Sequence, residues 1–503
     1  MTATLRDQLF QEILMARERV YTVGQPTPLE ALHLPIEAEV FVKREDLSPV
    51  HSYKWRGAYN RMAQLSDAQR AKGVVAASAG NHAQGVALAA RILGVHARIY
   101  MPASAPRMKQ SAVKRHGQNM VEIILHGDNY SEAAELALQD VGESGAAFIH
   151  PFDDLGTMGG QGTLADEVVM SGHGPFDVAY IQIGGGGLAA SVSCWLKVYY
   201  PDIRIVGVEG LNQASMAAAV KAGHPVELDY VDVFCDGTAV KKAGNLTYAL
   251  CSELIDEFIT VTNEEVCAAI QLMWEARRCI PEPSGAMGIA GLMKQQDQVK
   301  GQKVLCLLCG SNLDFGQLAW IGQHAGIGGG RRRYMRFEIS EDRGQILNLL
   351  DNALDDINII DFQYGKVHPK KAWPVIGFEA SPMDLQLLDQ RLGDIAIPHE
   401  DVTSEEDVEF RIIHYESDLF SHPYFITLEF PERPGALHDF LAMLRGAANL
   451  CYFNYSYSGE LVGRALIGFE FKSEDERAAF KKILADSHHA YREISEDVLG
   501  RVL

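Results

Sequence analysis

The sequence predicts an α/β protein: a large first region built on open, largely parallel sheets, then two copies of a small α+β module. Two observations carry this prediction. From about residue 35 to residue 320, short apolar runs alternate with helical segments, as in crossover units around a parallel sheet. Beyond residue 320 the pattern changes, and three motifs recur at one constant spacing. With 503 residues, the chain is also too long for one core, so two to four domains are expected.

The parallel sheets are predicted from apolar runs that end in glycine-rich or polar turns. Five runs read as buried strands: "GVVAASAG", "VHARIYMP", "DVAYIQIG", "IRIVGVEG" and "KVLCLLCG". In such folds the carboxyl ends of the strands form the edge where ligands bind. We therefore expect functional residues in the turns that follow these strands.

The region after residue 333 contains an internal repeat. "EDRGQIL" recurs as "ERPGALH", "IDFQYG" as "CYFNYS", and "VIGFEA" as "LIGFEF". Each copy reads strand–helix–strand–strand–helix–strand, the order of a ferredoxin-like unit. Equivalent residues are separated by 91 positions in every motif: Gly344 and Gly435, Phe362 and Phe453, Tyr364 and Tyr455, Gly377 and Gly468.

These patterns divide the chain into a first domain over residues 1–325, a linker over 326–333, and modules over 334–405 and 421–503. The linker is glycine-rich and basic. Its three arginines, 331–333, are most simply a solvated hinge, and docking on the acidic body is the alternative.

Composition excludes several classes of function. A net charge of −21 argues against nucleic acid and anionic membranes as partners. No apolar run approaches the roughly 20 residues that span a bilayer, and the first 20 residues read as an amphipathic helix rather than a signal peptide. The eight cysteines lack disulfide-like spacing; Cys306 and Cys309 lie three apart in a predicted strand and so on opposite faces. The sequence therefore predicts a cytoplasmic protein.

The stretch "SYKWRGA" places Lys54 between Tyr53 and Trp55. A desolvated amine is a nucleophile, whereas a solvated ammonium is not, so Lys54 is a candidate for a Schiff base. The alternative is a side chain that reaches solvent or stacks on Trp55 as a cation–π pair. Taken alone, the stretch favours this alternative, because most lysines are solvated surface charges.

A run of four glycines follows the predicted strand "VAYIQI" and precedes a helix. Glycine lets a backbone approach an anion closely, and several N–H groups and the helix dipole converge there. The run therefore predicts a phosphate site, with an ordinary loose turn as the alternative.

A second strand–loop–helix segment, "VVAASAGNHAQG", carries Ser78, Asn81 and His82. The helix is predicted to begin near Gln84, so its N-terminus would face these polar groups and favour a carboxylate. Helix caps are the alternative, which explains one of the three residues but not all of them.

A lysine among aromatics, a phosphate site and a carboxylate-sized loop together suggest pyridoxal phosphate (PLP). The motifs "SYKWRGA", "SAGNHAQG", "GGGGLAA" and "PEPSGA" closely resemble those of the tryptophan-synthase-β-like PLP enzymes, and within that group those of threonine dehydratase (threonine ammonia-lyase). The resemblance covers residues of about 5–325. The duplicated tail resembles the ACT-like regulatory domains of the biosynthetic form.

The resemblance implies a role for each matching residue. Lys54 would form the Schiff base and take the Cα proton, Asn81 would bond the cofactor's 3-hydroxyl, and Glu282 would face the pyridine ring or the substrate. Ser78, Asn81 and His82 would bind the substrate carboxylate. The phosphate would be held by backbone amides of Gly184, Gly185, Gly186, Gly187 and Leu188.

The sequence departs from the family pattern at three positions. Tyr53 replaces the common phenylalanine and adds a hydroxyl. Cys309 replaces the serine that faces the pyridine nitrogen; a neutral thiol would not keep that nitrogen protonated, which favours β-elimination over transamination. Glu209 is present where some relatives hold a divalent cation, but Ser215 stands in place of the second carboxylate, so no metal is predicted.

The resemblance implies deamination of L-threonine to 2-oxobutanoate and ammonia, the first committed step of isoleucine biosynthesis. A catabolic serine/threonine dehydratase and a serine racemase are alternatives within the fold. Racemisation needs a second acid/base where this chain has Ala79, which cannot transfer protons. An amino-acid sensor without catalysis is the alternative from another class.

The resemblance also implies a homotetramer in which isoleucine binds the tail and inhibits, while valine opposes it. The effector-site candidates lie in the second copy, on its first helix and the next strand. Their alternative role is module core. They are Gly435, Leu437, Leu441, Phe453 and Tyr455.

Overall fold

The computed structural model describes residues 3–354, 357–394, 397–431, 433, 435–444, 446–457, 462–487, 489–495 and 498–500. The predicted outer bounds of the first and last domains, residues 1 and 503, lie outside the described residues. The chain forms two compact units, Met1–Gly328 and Gly329–Leu503. No described helix is both long enough and apolar enough to cross a membrane.

The first unit contains ten strands and thirteen helices among its described residues. The strands are β1 (Leu29–Leu32), β2 (Glu39–Arg44), β3 (Val74–Ala77), β4 (Ala97–Met101), β5 (Val121–Leu125), β6 (Ala147–Phe148), β7 (Val178–Gln182), β8 (Arg204–Gly210), β9 (Glu257–Val261) and β10 (Lys303–Leu308). The helices are α1 (Leu5–Val20), α2 (Lys54–Ala63), α3 (Asp67–Ala71), α4 (Asn81–Leu93), α5 (Arg107–Gly117), α6 (Tyr130–Ser144), α7 (Leu155–Met170), α8 (Gly187–Tyr199), α9 (Ser215–Ala222), α10 (Asn245–Leu254), α11 (Asn263–Arg277), α12 (Pro283–Lys294) and α13 (Gln317–Gly328).

These strands form two open sheets, which confirms the predicted architecture. The smaller sheet has the order β5-β4-β3-β6 and is parallel throughout. The larger has the order β1-β2-β10-β7-β8-β9, with only β1 antiparallel to its neighbour. All five apolar runs are strands: β3, β4, β7, β8 and β10. Cys306 and Cys309 belong to the apolar clusters on opposite sides of the larger sheet.

A buried cluster of ion pairs joins β2 to helices α2 and α7. Lys43 and Arg56 are fully buried, as is Glu45, and Glu167 is 8% exposed. The Arg56 guanidinium donates to both oxygens of Glu45 at 2.9 Å and to Glu167 at 3.1 Å. Lys43 donates to Glu167 and to the backbone oxygen of Thr27. Two cations and two carboxylates are thereby paired out of water, with the bidentate geometry that favours arginine.

The predicted linker is shorter than expected. Helix α13 continues through Gly328, and the next strand begins at Arg332, so only residues 329–331 lie outside regular structure. A Cβ on Gly328 would lie 1.8 Å from the backbone oxygen of Glu264 in α11. Glycine here therefore permits close helix packing, and the prediction that residues 326–328 are linker is corrected.

The second unit contains ten strands and five helices among its described residues. The strands are β11 (Arg332–Phe337), β12 (Ile339–Ser340), β13 (Asn358–Gly365), β14 (Lys371–Ala372), β15 (Val375–Glu379), β16 (His399–Asp401), β17 (Tyr424–Pro431), β18 (Asn449–Ser456), β19 (Val462–Glu470) and β20 (Ala490–Glu493). The helices are α14 (Gln345–Ala353), α15 (Pro382–Asp394), α16 (Glu406–Glu409), α17 (Ala436–Met443) and α18 (Glu474–Ala485).

The two modules share one eight-stranded sheet, in the order β16-β11-β15-β13-β18-β19-β17-β20. Each half has the strand–helix–strand–strand–helix–strand order that the repeat predicts, and β12 and β14 add a small separate pair. The halves meet where β13 pairs antiparallel with β18, and Gln363 lies opposite Asn454. Those two residues are equivalents in the repeat, 91 positions apart, so the junction is a local two-fold.

The arginines of the predicted linker do not form a solvated hinge. Arg332 and Arg333 lie in β11. Arg332 pairs with Glu379 on the neighbouring strand at 3.3 Å, and Arg333 pairs with Asp389 and Asp401. The predicted basic hinge is instead part of the first strand of the eight-stranded sheet, where the charges of Arg332 and Arg333 are paired with acidic neighbours.

Replacing Arg56 by Met is expected to destabilise the first unit by about 3–5 kcal/mol, because it leaves two buried carboxylates short of a partner. Urea denaturation followed by tryptophan fluorescence measures this loss. Lys300→Ala, which breaks the exposed pair with Asp297, serves as the control and is expected to leave the transition unchanged. If Arg56→Met lowered the free energy of unfolding by less than about 1 kcal/mol, the buried cluster would contribute no more to stability than a surface ion pair does.

Candidate functional site

A cleft of about 450 Å³ lies in the first unit, at the carboxyl ends of β7 and β10. The structure brings all the residues predicted to bind the cofactor to its walls. They are Tyr53, Lys54, Asn81, Gly184, Gly185, Gly186, Gly187, Leu188, Glu282 and Cys309.

Lys54 is the first residue of α2, and its Nζ donates to the backbone oxygen of Pro151 at 3.1 Å. Burial lowers the pKa of this amine to about 8, although Cys309 and Glu282 act to raise it. Near neutral pH, Lys54 is therefore more often uncharged than a solvated lysine. The cation–π alternative named Trp55 as the partner of Lys54, but Lys54 Nζ lies over Tyr53 instead, 5.3 Å from its ring centre.

The four glycines form a tight turn into α8, which begins at Gly187. A Cβ on Gly185 would lie 2.3 Å from the ring of Phe152, and one on Gly187 would lie 2.9 Å from the Phe152 backbone oxygen. Gly186 has a φ of +92°, which side chains rarely adopt. Within the described part of the chain, the N–H groups of residues 184–189 donate to no other residue. They are free to bind an anion such as phosphate.

The segment that packs against these glycines escaped the sequence analysis. The His150 ring accepts from the backbone N–H groups of Phe152 at 3.2 Å and Asp153 at 2.8 Å. Asp153 in turn caps α10, and Thr247 of that helix donates to the oxygen of Gly185 at 2.7 Å. The turn thus holds in place both the Pro151 oxygen, which accepts from Lys54, and Phe152, which packs against the glycine segment. Its signal in the sequence is the polar turn "HPFDD" directly after β6.

Asn81, Glu282 and Asn312 form a hydrogen-bonded triangle at one side of the cleft. Asn81 Nδ2 donates to Glu282 Oε1 at 2.6 Å, and Asn312 Nδ2 donates to Asn81 Oδ1 at 2.7 Å. The backbone N–H of Asn312 donates to Glu282 Oε2 at 3.1 Å. Burial raises the pKa of Glu282 to about 7, and the nearby Asp236 acts in the same direction. Asn312 was not selected from the sequence, although it lies only three residues after Cys309.

Ser78 and His82 lie outside the lining of the cleft. His82 Nε2 bonds the backbone oxygen of Ile149 at 2.8 Å, so this nitrogen carries the proton. Burial, together with Lys54, lowers the pKa of His82 to about 3. The neutral ring then leaves Nδ1 as an acceptor, which argues against the predicted contact of its side chain with a carboxylate.

The predicted carboxylate site therefore depends on the backbone of the same loop. Helix α4 begins at Asn81 rather than near Gln84, so its first N–H groups follow the loop directly. Ser78 Oγ accepts from the backbone N–H of Gly80 at 3.2 Å and shapes this turn. Carboxylate binding by Ser78, Asn81 and His82 stays a prediction. The groups that would bind are the backbone N–H groups of this loop and of the start of α4.

Cys309 directly follows β10 and lines the cleft beside Gln182, whose Nε2 donates to its sulfur. Burial raises the pKa of the Cys309 thiol well above its ordinary value, so the group stays neutral, as the sequence analysis expected of it. Gln182 lies directly before the turn "IGGGG", where its position could have marked it from the sequence.

Glu209 uses both carboxylate oxygens to accept backbone N–H groups of Met216 and Ala217, each at 2.8 Å. It therefore caps the N-terminus of α9. Among the described residues, no cluster of three or more His, Cys, Asp or Glu side chains is arranged to hold a metal ion.

A second cavity, of about 550 Å³, lies in the second unit between its two modules. Of the five predicted effector residues, only Leu441 lines it. Leu437, Phe453 and Tyr455 are buried in the module core, which is the alternative role considered for them. Gly435 precedes α17 with a φ of +78°.

The cavity instead lies at the equivalent positions of the first copy. Gly344, Ile346 and Tyr364, the counterparts of Gly435, Leu437 and Tyr455, all line it. The Tyr364 hydroxyl donates to the Glu341 carboxylate at 2.6 Å, and burial raises the pKa of Glu341 to about 7. Glu341 and Asp342 thus both line this cavity, beside aliphatic side chains that include Ile346, Leu347 and Leu441.

Gly185→Ala is expected to weaken binding of a phosphate-bearing ligand at least tenfold, because the added Cβ meets the ring of Phe152. Titration of the protein with PLP, followed by absorbance, measures this. Gly142→Ala, in α6 with open space around it, is the matched control and should bind as the unaltered chain does. Equal affinity of the two variants would mean that the turn is not the phosphate site.

Comparison with known proteins agrees with this geometry. Residues 20–310 match the family described as pyridoxal-phosphate dependent enzyme, and residues 421–501 match the C-terminal regulatory domain of threonine dehydratase. The biosynthetic L-threonine dehydratase of Burkholderia multivorans is 36% identical over 98% of both chains, and that of Escherichia coli is 36% identical over 90% of this chain and 89% of its own.

Two solved structures each match somewhat less than two thirds of the chain. The processed form of threonine deaminase isoform 2 from Solanum lycopersicum is 39% identical, with a TM-score of 0.61, and covers 64% of this chain and 94% of its own. Maize serine racemase is 30% identical, with a TM-score of 0.58, and covers 63% and 97%. By its cleft, its regulatory unit and its relatives, the chain belongs to the biosynthetic threonine dehydratase family of pyridoxal-phosphate-dependent enzymes.

Proposed function

We propose that this protein deaminates L-threonine to 2-oxobutanoate and ammonia with PLP as cofactor. The observation that carries the proposal is the pairing, in one cleft, of a lysine of lowered pKa with a row of free glycine N–H groups. The relatives that match over nearly the whole chain are named for this activity.

The residues of the cleft fit PLP. The amides of residues 184–188 would hold its phosphate, Lys54 its aldehyde, Asn81 its 3-oxygen and Cys309 its pyridine nitrogen. When bound, the cofactor supplies an electron sink for the negative charge that develops at the substrate Cα.

The protein's own groups account for the remaining tasks. Lys54 Nζ accepts the proton that leaves the substrate Cα, which an amine of lowered pKa does near neutral pH. Cys309, as a neutral thiol, does not donate a full proton to the pyridine nitrogen, which favours loss of the β-hydroxyl over transamination. The N-terminus of α4 offers N–H groups to the substrate carboxylate.

The alternatives from the sequence are weighed by the same site. A racemase of this fold needs a second acid/base, and Ala79 carries only a methyl group at that position. A sensor without catalysis would not need a buried amine in the same cleft as a phosphate site. The deaminase therefore remains the proposal, with threonine preferred over serine by analogy with the named relatives.

Regulation is proposed to act through the cavity of the second unit. Its aliphatic wall, with Ile346, Leu347 and Leu441, suits a branched side chain, and Glu341 suits an ammonium group. We propose that isoleucine binds there and inhibits, and that valine opposes it. A homotetrameric assembly and a cytoplasmic location complete the proposal; the tetramer rests on the family resemblance, and the location on composition.

The initial rate of 2-oxobutanoate formation against L-threonine concentration tests the proposal. We expect a sigmoidal curve that isoleucine suppresses, and no keto acid from the Lys54→Ala variant. Absence of keto acid from the unaltered holoenzyme, or full activity of Lys54→Ala, would overturn the proposed chemistry. A hyperbolic rate that isoleucine leaves unchanged would overturn only the regulation.

Leu441→Phe is expected to raise the isoleucine concentration for half-inhibition roughly tenfold, because the larger ring fills space that the effector needs. The rate without isoleucine should stay the same. Leu387→Phe, on an exposed part of α15, is the matched control. Unchanged inhibition of Leu441→Phe would remove this cavity as the effector site.

A further inference from the structure

Asn312 lies behind the cleft, where three segments of the first unit meet. Its Nδ2 donates to the backbone oxygen of Val50 at 2.8 Å and to Asn81 Oδ1 at 2.7 Å. Asn312 does not line the cleft, whereas its partners Asn81 and Glu282 do. It therefore acts on anything in the cleft only through them.

The direction of this network is set by groups that can only accept. The oxygen of Val50 has no proton to give, so it must receive the amide nitrogen of Asn312. The other N–H of that nitrogen then points at Asn81, which must present its oxygen to Asn312. At the far end, the Glu282 carboxylate accepts from the nitrogen of Asn81.

A reversed Asn81 amide would be penalised at its Asn312 end whatever the protonation state of Glu282. Its NH₂ group would face the NH₂ group of Asn312, and its carbonyl would face the carboxylate of Glu282. The hydrogen bond from Asn312 would become a contact between two donors, and with Glu282 ionised the bond to Glu282 would become a contact between two acceptors. The orientation of the Asn81 amide is therefore strongly biased.

We propose that Asn312 is a positioning residue, which fixes the amide of Asn81 so that its remaining N–H, rather than its carbonyl, faces the cleft. That N–H meets the anionic 3-oxygen of the cofactor and stabilises its negative charge. The inference rests on the proposed function, because it takes PLP as the occupant of the cleft. Asn312 itself touches neither cofactor nor substrate.

The test uses the apoprotein, PLP and no amino acid, so that it does not depend on threonine turnover. In Asn312→Ala the Asn81 amide is free to reverse. We expect PLP to bind roughly tenfold more weakly and the pH titration of its visible absorption band to shift to higher pH, because the deprotonated form loses a donor. Asn312→Ser, whose hydroxyl can still donate, should recover part of both effects.

A double-variant cycle separates positioning from general loss of structure. In the Asn81→Ala background, Asn312→Ala should cause no further shift of the band titration. Asn263→Ala, which removes another half-buried asparagine with one bond to Asp232, is the matched control and should leave the band unchanged.

An unshifted band in Asn312→Ala, or shifts that add in the double variant, would overturn the proposal. Normal band behaviour combined with failure to deaminate threonine would instead count against the proposed substrate alone. If the unaltered apoprotein bound no PLP, both this inference and the proposed function would be wrong.

Discussion

The buried pairing of Arg56 with Glu45 and Glu167 is the constraint on which the catalytic geometry depends. Arg56 lies two residues after Lys54 at the start of α2. Holding the Arg56 side chain in place therefore also holds the start of the helix, where Lys54 lies. Its partners come from the end of β2 and from α7, which places α2 relative to the larger sheet. Such pairs are strong only when every charge is matched, and here they are.

Around that fixed lysine, the cleft is built from groups whose hydrogen-bonding roles are settled before any ligand arrives. The N–H groups of the glycine turn have no acceptor among the described residues, and the Cys309 thiol is protonated because burial opposes its ionisation. Such preorganisation avoids reorientation of dipoles during the reaction, which is where an enzyme otherwise loses rate.

The sequence was sufficient for the parts of the site that depend on contiguous motifs. Lys54, the four glycines and Asn81 each stand directly at a strand end or helix start, so local pattern places them at the ligand-binding edge. Phe152, Gln182 and Asn312 each lie in or beside a turn that could have marked them. Their contacts could not be predicted, because these join segments far apart in the chain. The repeat did not predict which copy contributes these positions to a cavity. Leu437 and Tyr455 are buried in the core of the second copy, whereas their equivalents Ile346 and Tyr364 line the cavity.

The pairing of β13 with β18 turns two small modules into one continuous sheet within a single chain. Two such modules on separate chains would associate to an extent that depends on their concentration, and they would dissociate on dilution. Here the tether makes their pairing intramolecular, so it does not depend on how much enzyme a cell contains. The outer edges of the sheet are the short strands β16 and β20, of three and four residues, which offer little for another sheet to extend. The cavity between the modules is therefore formed within one chain at any enzyme abundance, so occupancy by the proposed effector would depend on the concentration of that effector alone.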